Sequence, residues 1–189
     1  MQFDDIVKKR VGVEQFSSKK PAMEKITEAV MTANMAPTPG NVPILSFVVV
    51  DDPDKVERIA DICDLDYLKF APYLIVVCSE PKLVKRLYGG NTDKYVKHHV
   101  GYAVENLLLK LTEMGLASNI VEFFADDLLR DLIRIVENQE IELIIPVGYE
   151  EFKGKAKNRP RYSLYNRLFF NEFGNRFYKP FNRIRRKDL

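Results

Sequence analysis

Val104-Glu105-Asn106-Leu107-Leu108-Leu109-Lys110-Leu111-Thr112-Glu113-Met114-Gly115-Leu116-Ala117-Ser118 reads as a helix running into a turn of small residues. Upstream of it, Val96, Val100 and Ala103 continue the apolar stripe formed by Val104, Leu107, Leu108 and Leu111. Apolar residues at that spacing share one helical face. The pattern predicts a helix over Tyr95–Met114, ended by Gly115. A helix of that length spans roughly 30 Å, a full domain width, so it belongs in a core. The small residues after it would let a flat ligand approach the backbone. They would also serve simply to end a helix, and composition alone leaves both readings open.

Working outward, Ile44–Val50 and Tyr73–Cys78 are continuous apolar runs rich in β-branched residues, the pattern of buried strands. Ile141–Val147 is a third strand, and Pro146, which cannot donate to a ladder, predicts an edge or a break there. Helical spacing or capping predicts helices over Phe3–Lys9, Ala22–Met35, Asp54–Ile62 and Phe124–Val136. The order implies a sheet covered by helices, α+β or α/β. Neither GxGxxG nor GxxxxGK[ST] occurs, so a Rossmann dinucleotide site and a P-loop have no support.

The chain has 189 residues, enough for one domain or one domain with an extension. At 46% hydrophobic and 30% charged it can bury a core. No run of apolar residues is long enough for a transmembrane helix, and Met1-Gln2-Phe3-Asp4-Asp5 lacks the basic and apolar regions of a secretory signal. Cys63 and Cys78 stand in no paired motif, which argues against a disulfide scaffold or a cysteine zinc site and fits a reducing compartment. The expectation is a cytoplasmic protein without a metal or a membrane partner. The charge is split. Residues 152–189 hold twelve Lys and Arg against two Asp and Glu, while residues 1–151 hold seventeen against twenty-five. An acidic body therefore carries a basic tail, suited to an anionic partner or to docking on an acidic surface.

Four segments carry candidate chemistry. In Lys9-Arg10-Val11-Gly12-Val13-Glu14-Gln15-Phe16, an arginine beside a glycine can offer a guanidinium and backbone N–H groups to an anion. Met35-Ala36-Pro37-Thr38-Pro39-Gly40-Asn41 joins a helix to a buried strand and supplies hydrogen-bonding groups at Thr38 and Asn41. The helix and small-residue turn above is the third. The fourth is Val147-Gly148-Tyr149 followed by a basic loop and Arg159-Pro160-Arg161, two arginines able to face a phosphate.

In this order and spacing the four segments resemble the FMN-dependent nitroreductase family, over about residues 3–164. The resemblance implies a three-layer α+β fold with a central mixed, mostly antiparallel sheet flanked by helices. It implies an intertwined homodimer with the helix of residues 95–114 at its core. Residues 1–151 would form the FMN-binding core, and residues 152–189 an extension that completes the FMN site and wraps the partner subunit. Arg10 matches an arginine that contacts the FMN phosphate and ribityl chain. Gly12 stands where the family has Ser, and Glu14 where it has a cation near the flavin pyrimidine edge; Lys69 is a candidate replacement. Pro37, Thr38, Pro39 and Asn41 match a loop that reaches the flavin from the partner, although Pro43-Ile44-Leu45 replaces the family's Gln-Pro-Trp. Ile120, Val121 and Glu122 match residues packed on the flavin ring, and Arg159 and Arg161 a pair that holds the phosphate.

By that resemblance the flavin carries the chemistry, with no catalytic side chain. NADH or NADPH reduces it, and a nitro compound, quinone or related small-molecule electron acceptor reoxidises it in a ping-pong cycle. Two alternatives differ in kind. One is a protein of this fold with altered or lost redox activity, which Glu14 and Pro43-Ile44-Leu45 motivate. The other is a nucleic-acid-binding protein using the tail, where aromatics such as Tyr165, Phe169, Phe173 and Phe177 are interleaved with arginines such as Arg167, Arg176 and Arg183. The arm is the preferred reading of the tail.

Overall fold

The structure is a computed structural model that describes residues 2–151 and 167–176. The chain divides into two units, residues 1–156 and 157–189. In the first unit the elements run α1 (Phe3–Lys9), α2 (Met23–Ala33), β1 (Leu45–Val50), α3 (Pro53–Cys63), β2 (Tyr73–Ser79) and α4 (Pro81–Tyr88). They continue with α5 (Thr92–Glu113), β3 (Ala117–Ser118), α6 (Asp126–Ile133) and β4 (Glu140–Gly148). In the second unit, residues 167–176 form a turn in which the rings of Phe169 and Phe173 lie 4.7 Å apart.

The sheet order is β1-β2-β4-β3, with every strand pair antiparallel. A single parallel bridge, Gly12 to Ser118, adds the N-terminal segment to the β3 edge. All seven residues of β2 are buried, because helices cover both faces. Tyr73, Ile75 and Val77 of β2 pack with Ile26 and Ala29 of α2, Val84 of α4 and the apolar face of α5. Leu74, Val76 and Cys78 face Val56, Ile59 and Ala60 of α3 and Leu129 of α6. Three layers follow directly from the double-sided apolar strands. All seven apolar residues that marked the long helix are buried on α5.

Two elements depart from the sequence reading. α4 was not anticipated, and neither was β3, which is too short to show a period. The expectation that Pro146 marks an edge or a break is corrected: β4 is an inner strand, and Pro146 pairs with Leu74. Its carbonyl accepts a hydrogen bond from the Asn119 amide at 3.3 Å. In an antiparallel ladder a residue's N–H and C=O point the same way, so the missing donor faces the two-residue β3 and not β2.

A bulge at Glu142 shifts the β2–β4 register between Val77 and Cys78. The bulge turns the Glu142 carboxylate inward. There it accepts a hydrogen bond from Ser79 Oγ at 2.6 Å and pairs with Lys97 of α5.

Candidate functional site

α1 ends at Arg10, whose backbone N–H closes the helix on Ile6 O at 2.9 Å. The Arg10 side chain lies against α5, with Nε 3.3 Å from Glu105 Oε1, and is about one-third exposed. From there the chain runs along the β3 edge. Gly12 bridges Ser118, and the Val13 amide donates to Ser118 O at 3.0 Å. Beyond β3, Val121 exchanges two hydrogen bonds of 2.9 Å with Ile144 and is buried. That leaves Ile120, at 40% exposure, and Glu122 on the outer surface, next to Phe123 at 84%. Arg10, Gly12, Glu14, Ile120, Val121 and Glu122 thus fall on one edge of the sheet.

Pro37, Thr38, Pro39 and Asn41 lie elsewhere. Pro39–Asn41 is a turn of 3-10 helix, with Gly40 at φ +60° and Asn41 at φ +58°. A Cβ at Gly40 would stand 2.6 Å from Leu87 Cδ1, so the loop is packed on α4. It leads into β1, at the opposite edge of the sheet from β3. Leu45 aligns with Ser79, whereas Ser118 aligns with Val147, itself opposite Tyr73. The loop and the β3 edge therefore differ by three strand spacings, roughly 14 Å, and by about six residues along the strands, roughly 20 Å. They stand at diagonal corners, and one chain does not bring them together.

Lys69 sits in the 3-10 turn Asp66–Phe70, and its ammonium lies 3.0 Å from both Asp61 and Asp66. Hydrogen bonds to those carboxylates, Asp61 first, hold it protonated well above the ordinary lysine range. Two anions already claim its charge. Arg159 and Arg161 lie outside the described residues, as does most of the basic aromatic tail. Burial pushes the thiols of Cys63 and Cys78 up to about 11, so both are packed and unreactive at neutral pH. Among the described residues no cluster of His, Cys, Asp or Glu could hold a metal ion, and no helix is long and apolar enough to cross a membrane.

Sequence reasoning passed over Tyr67 and Asn119. Asn119 Nδ2 donates to the Tyr67 hydroxyl at 3.2 Å. Burial raises the Tyr67 phenol, the hydrogen bond from Asn119 lowers it, and the nearby charge of Glu14 raises it further. The two residues are 52 positions apart, so no local spacing announces the pair.

A family model described as the nitroreductase family matches residues 63–149. A curated relative from Haliscomenobacter hydrossis, named iodotyrosine deiodinase, is 30% identical over 169 residues, covering 74% of this chain and 75% of the relative. The chain belongs to the nitroreductase family. A second family relative, from Archaeoglobus fulgidus, is named as a putative NADH dehydrogenase/NAD(P)H nitroreductase. It is 28% identical and covers 74% of this chain and 80% of its own length. Among solved structures, an oxidised iodotyrosine deiodinase bound to FMN and 3-iodo-L-tyrosine is 26% identical, with a TM-score of 0.71 over 86% of this chain and 94% of that one. The three-layer nitroreductase fold is therefore the fold of this chain.

The β3 edge suits such a flavin in its donor chemistry. It offers the Arg10 guanidinium, paired through Nε with Glu105, to an anion and apolar surface at Ile120 and Phe123 to a ring.

Proposed function

We propose that this chain is an FMN-dependent oxidoreductase that uses NADH or NADPH to reduce a nitro compound, a quinone or a related small acceptor. The observation that carries the reading is the convergence of Arg10, Gly12 and Ile120–Glu122 on the β3 edge, in a chain of the nitroreductase family. FMN, when bound, supplies the electron-transfer chemistry. The chain's own residues bind and orient it. Arg10 and, from the tail, Arg159 and Arg161 would balance its phosphate, which carries roughly −1.5 to −2 charge. Ile120 would present an apolar backing, with the buried Val121 fixing that edge to β4, and Glu122 a backbone N–H. Glu14 would set a negative charge near the ring, which disfavours the reduced, anionic form.

The diagonal separation of the 37–41 loop from the β3 edge supports a homodimer in which each chain's loop, with Thr38 and Asn41, completes the other's site. A cytoplasmic location fits a cycle fed by nicotinamide cofactors. The test is oxidation of NADH or NADPH by the FMN-loaded protein with a quinone or a nitroarene. Acceptor-dependent turnover supports the reading; flavin binding without turnover would support the redox-inactive alternative. A salt-sensitive shift of nucleic acid on a gel, with no flavin bound, would instead favour the tail-based alternative.

A second reading is reductive dehalogenation, favoured by the relative and the solved structure named as iodotyrosine deiodinases. In that reaction two electrons and one proton convert an aryl C–I bond to C–H and release iodide. Iodide release from 3-iodo-L-tyrosine by the dithionite-reduced, FMN-loaded protein tests it. No release, alongside quinone turnover, would leave the first reading alone.

A further inference from the structure

We propose that Asn119 is a positioning residue: held by Tyr67 and admitted by the absent side chain of Gly12, it locks the 10–14 segment onto the β3 edge and so preforms the surface for FMN. The inference rests on the flavin reading above and deepens it.

Three segments far apart in sequence meet at Asn119. Its backbone N–H donates to Pro146 O of β4 at 3.3 Å, which fixes its position on the sheet. Its Nδ2 donates to Tyr67 OH at 3.2 Å, which fixes the orientation of the carboxamide. Its Oδ1 then lies over Gly12, 2.5 Å from where a Cβ on that residue would stand, and Cγ lies 3.4 Å from the same point. Only a glycine accepts the carboxamide there without displacing it.

The need for such a lock is physical. The 10–14 segment is joined to the sheet by one parallel bridge, Gly12 to Ser118, which includes the bond from the Val13 amide to Ser118 O. So few backbone bonds do not hold a segment firmly. Arg10, Gly12 and Glu14 stand on that segment, and Ile120, Val121 and Glu122 on the strand edge it joins. Whatever fixes one to the other fixes the distance between the phosphate-binding arginine and the ring-binding surface. Tyr67 is suited to the task. Its hydroxyl, raised by burial and by Glu14, stays protonated at neutral pH. It therefore accepts from Asn119 and can reverse to donate.

That reversibility gives the decisive variant set: Asn119→Ala, Tyr67→Phe, Gly12→Ala, Asn119→Asp and the double variants Gly12→Ala/Asn119→Ala and Tyr67→Phe/Asn119→Asp. The first readout needs no cofactor: hydrogen exchange at the Val13 amide in the FMN-free protein. The three single variants other than Asn119→Asp should speed exchange roughly threefold to tenfold, the factor for losing one net hydrogen bond. Gly12→Ala/Asn119→Ala should be no faster than Asn119→Ala alone, since both act on one contact. Asn119→Asp should stay near wild type, because the Tyr67 hydroxyl can donate to the carboxylate, and that protection should vanish in Tyr67→Phe/Asn119→Asp. The second readout is FMN affinity by flavin fluorescence, expected to weaken by a similar factor in Asn119→Ala. Unchanged Val13 exchange in Asn119→Ala and Tyr67→Phe, in protein that binds FMN normally, would overturn the lock and leave the flavin reading standing. Wild-type protein that binds no FMN would overturn the flavin reading and the cofactor role of Asn119 with it.

Discussion

His99 is 3% exposed on α5, and among the described residues its Nδ1 has no hydrogen-bond partner. Burial lowers its pKa below the ordinary 6.5, because the charged imidazolium cannot be solvated there. The sign of the consequence is fixed by linkage. Below pH 6.5 the unfolded chain takes up a proton that the folded chain refuses, so stability falls as pH drops from 6.5 toward the folded pKa. Thermal melts at pH 7.5 and pH 5.5 should show this loss, and His99→Leu should reduce it; an equal loss in the variant would assign the effect to other groups. At this scale an arginine beside a glycine gave Arg10 and Gly12 a local signature, whereas Ile120–Glu122 were marked only through the family resemblance. It left Lys69 open, since nothing in the local pattern shows that Asp61, a turn away on α3, shares its charge with Asp66. It missed Asn119 and Tyr67, whose contact exists only after three segments have folded together.

At the scale of elements, α5 was legible because its apolar stripe is long and regular, and β2 because both of its faces are buried. α4 and β3 were not. α4 has one buried residue, Val84, and β3 has two residues in all. β4 was found, but its place in the sheet was misread from Pro146, since a proline is tolerated inside a sheet when its donor side faces a short partner. The end of α5 gives a clean test of the backbone logic. Gly115 has φ +74°, and a Cβ there would meet nothing within 4 Å. Gly115→Ala should therefore destabilise through backbone strain alone, by about 1 kcal/mol, lowering the melting temperature by a few degrees. No change would mean that the turn relaxes freely into another conformation.

For the whole molecule, the family resemblance assigned the 37–41 loop to the partner's site, and the strand order supplies the geometry, with the loop and the β3 edge at opposite edges of one chain's sheet. On the proposed reading a completed site takes both groups, so the functional unit is expected to be a homodimer. Light scattering after size exclusion should give the mass of two 21.9 kDa chains. A monomer that still binds FMN tightly would show that the loop is not needed. The proposal that residues 152–189 complete the site rests on Arg159 and Arg161, and Arg159→Ala/Arg161→Ala should weaken FMN binding while leaving the fold of the body intact. All of these depend on the cofactor itself. The most direct measurement is a visible absorption spectrum of the purified protein after incubation with FMN and desalting. Flavin bands retained in proportion to the chain are predicted, and reduced in Arg10→Ala. A colourless protein, with no flavin retained at any loading concentration, would contradict a flavin site on this edge.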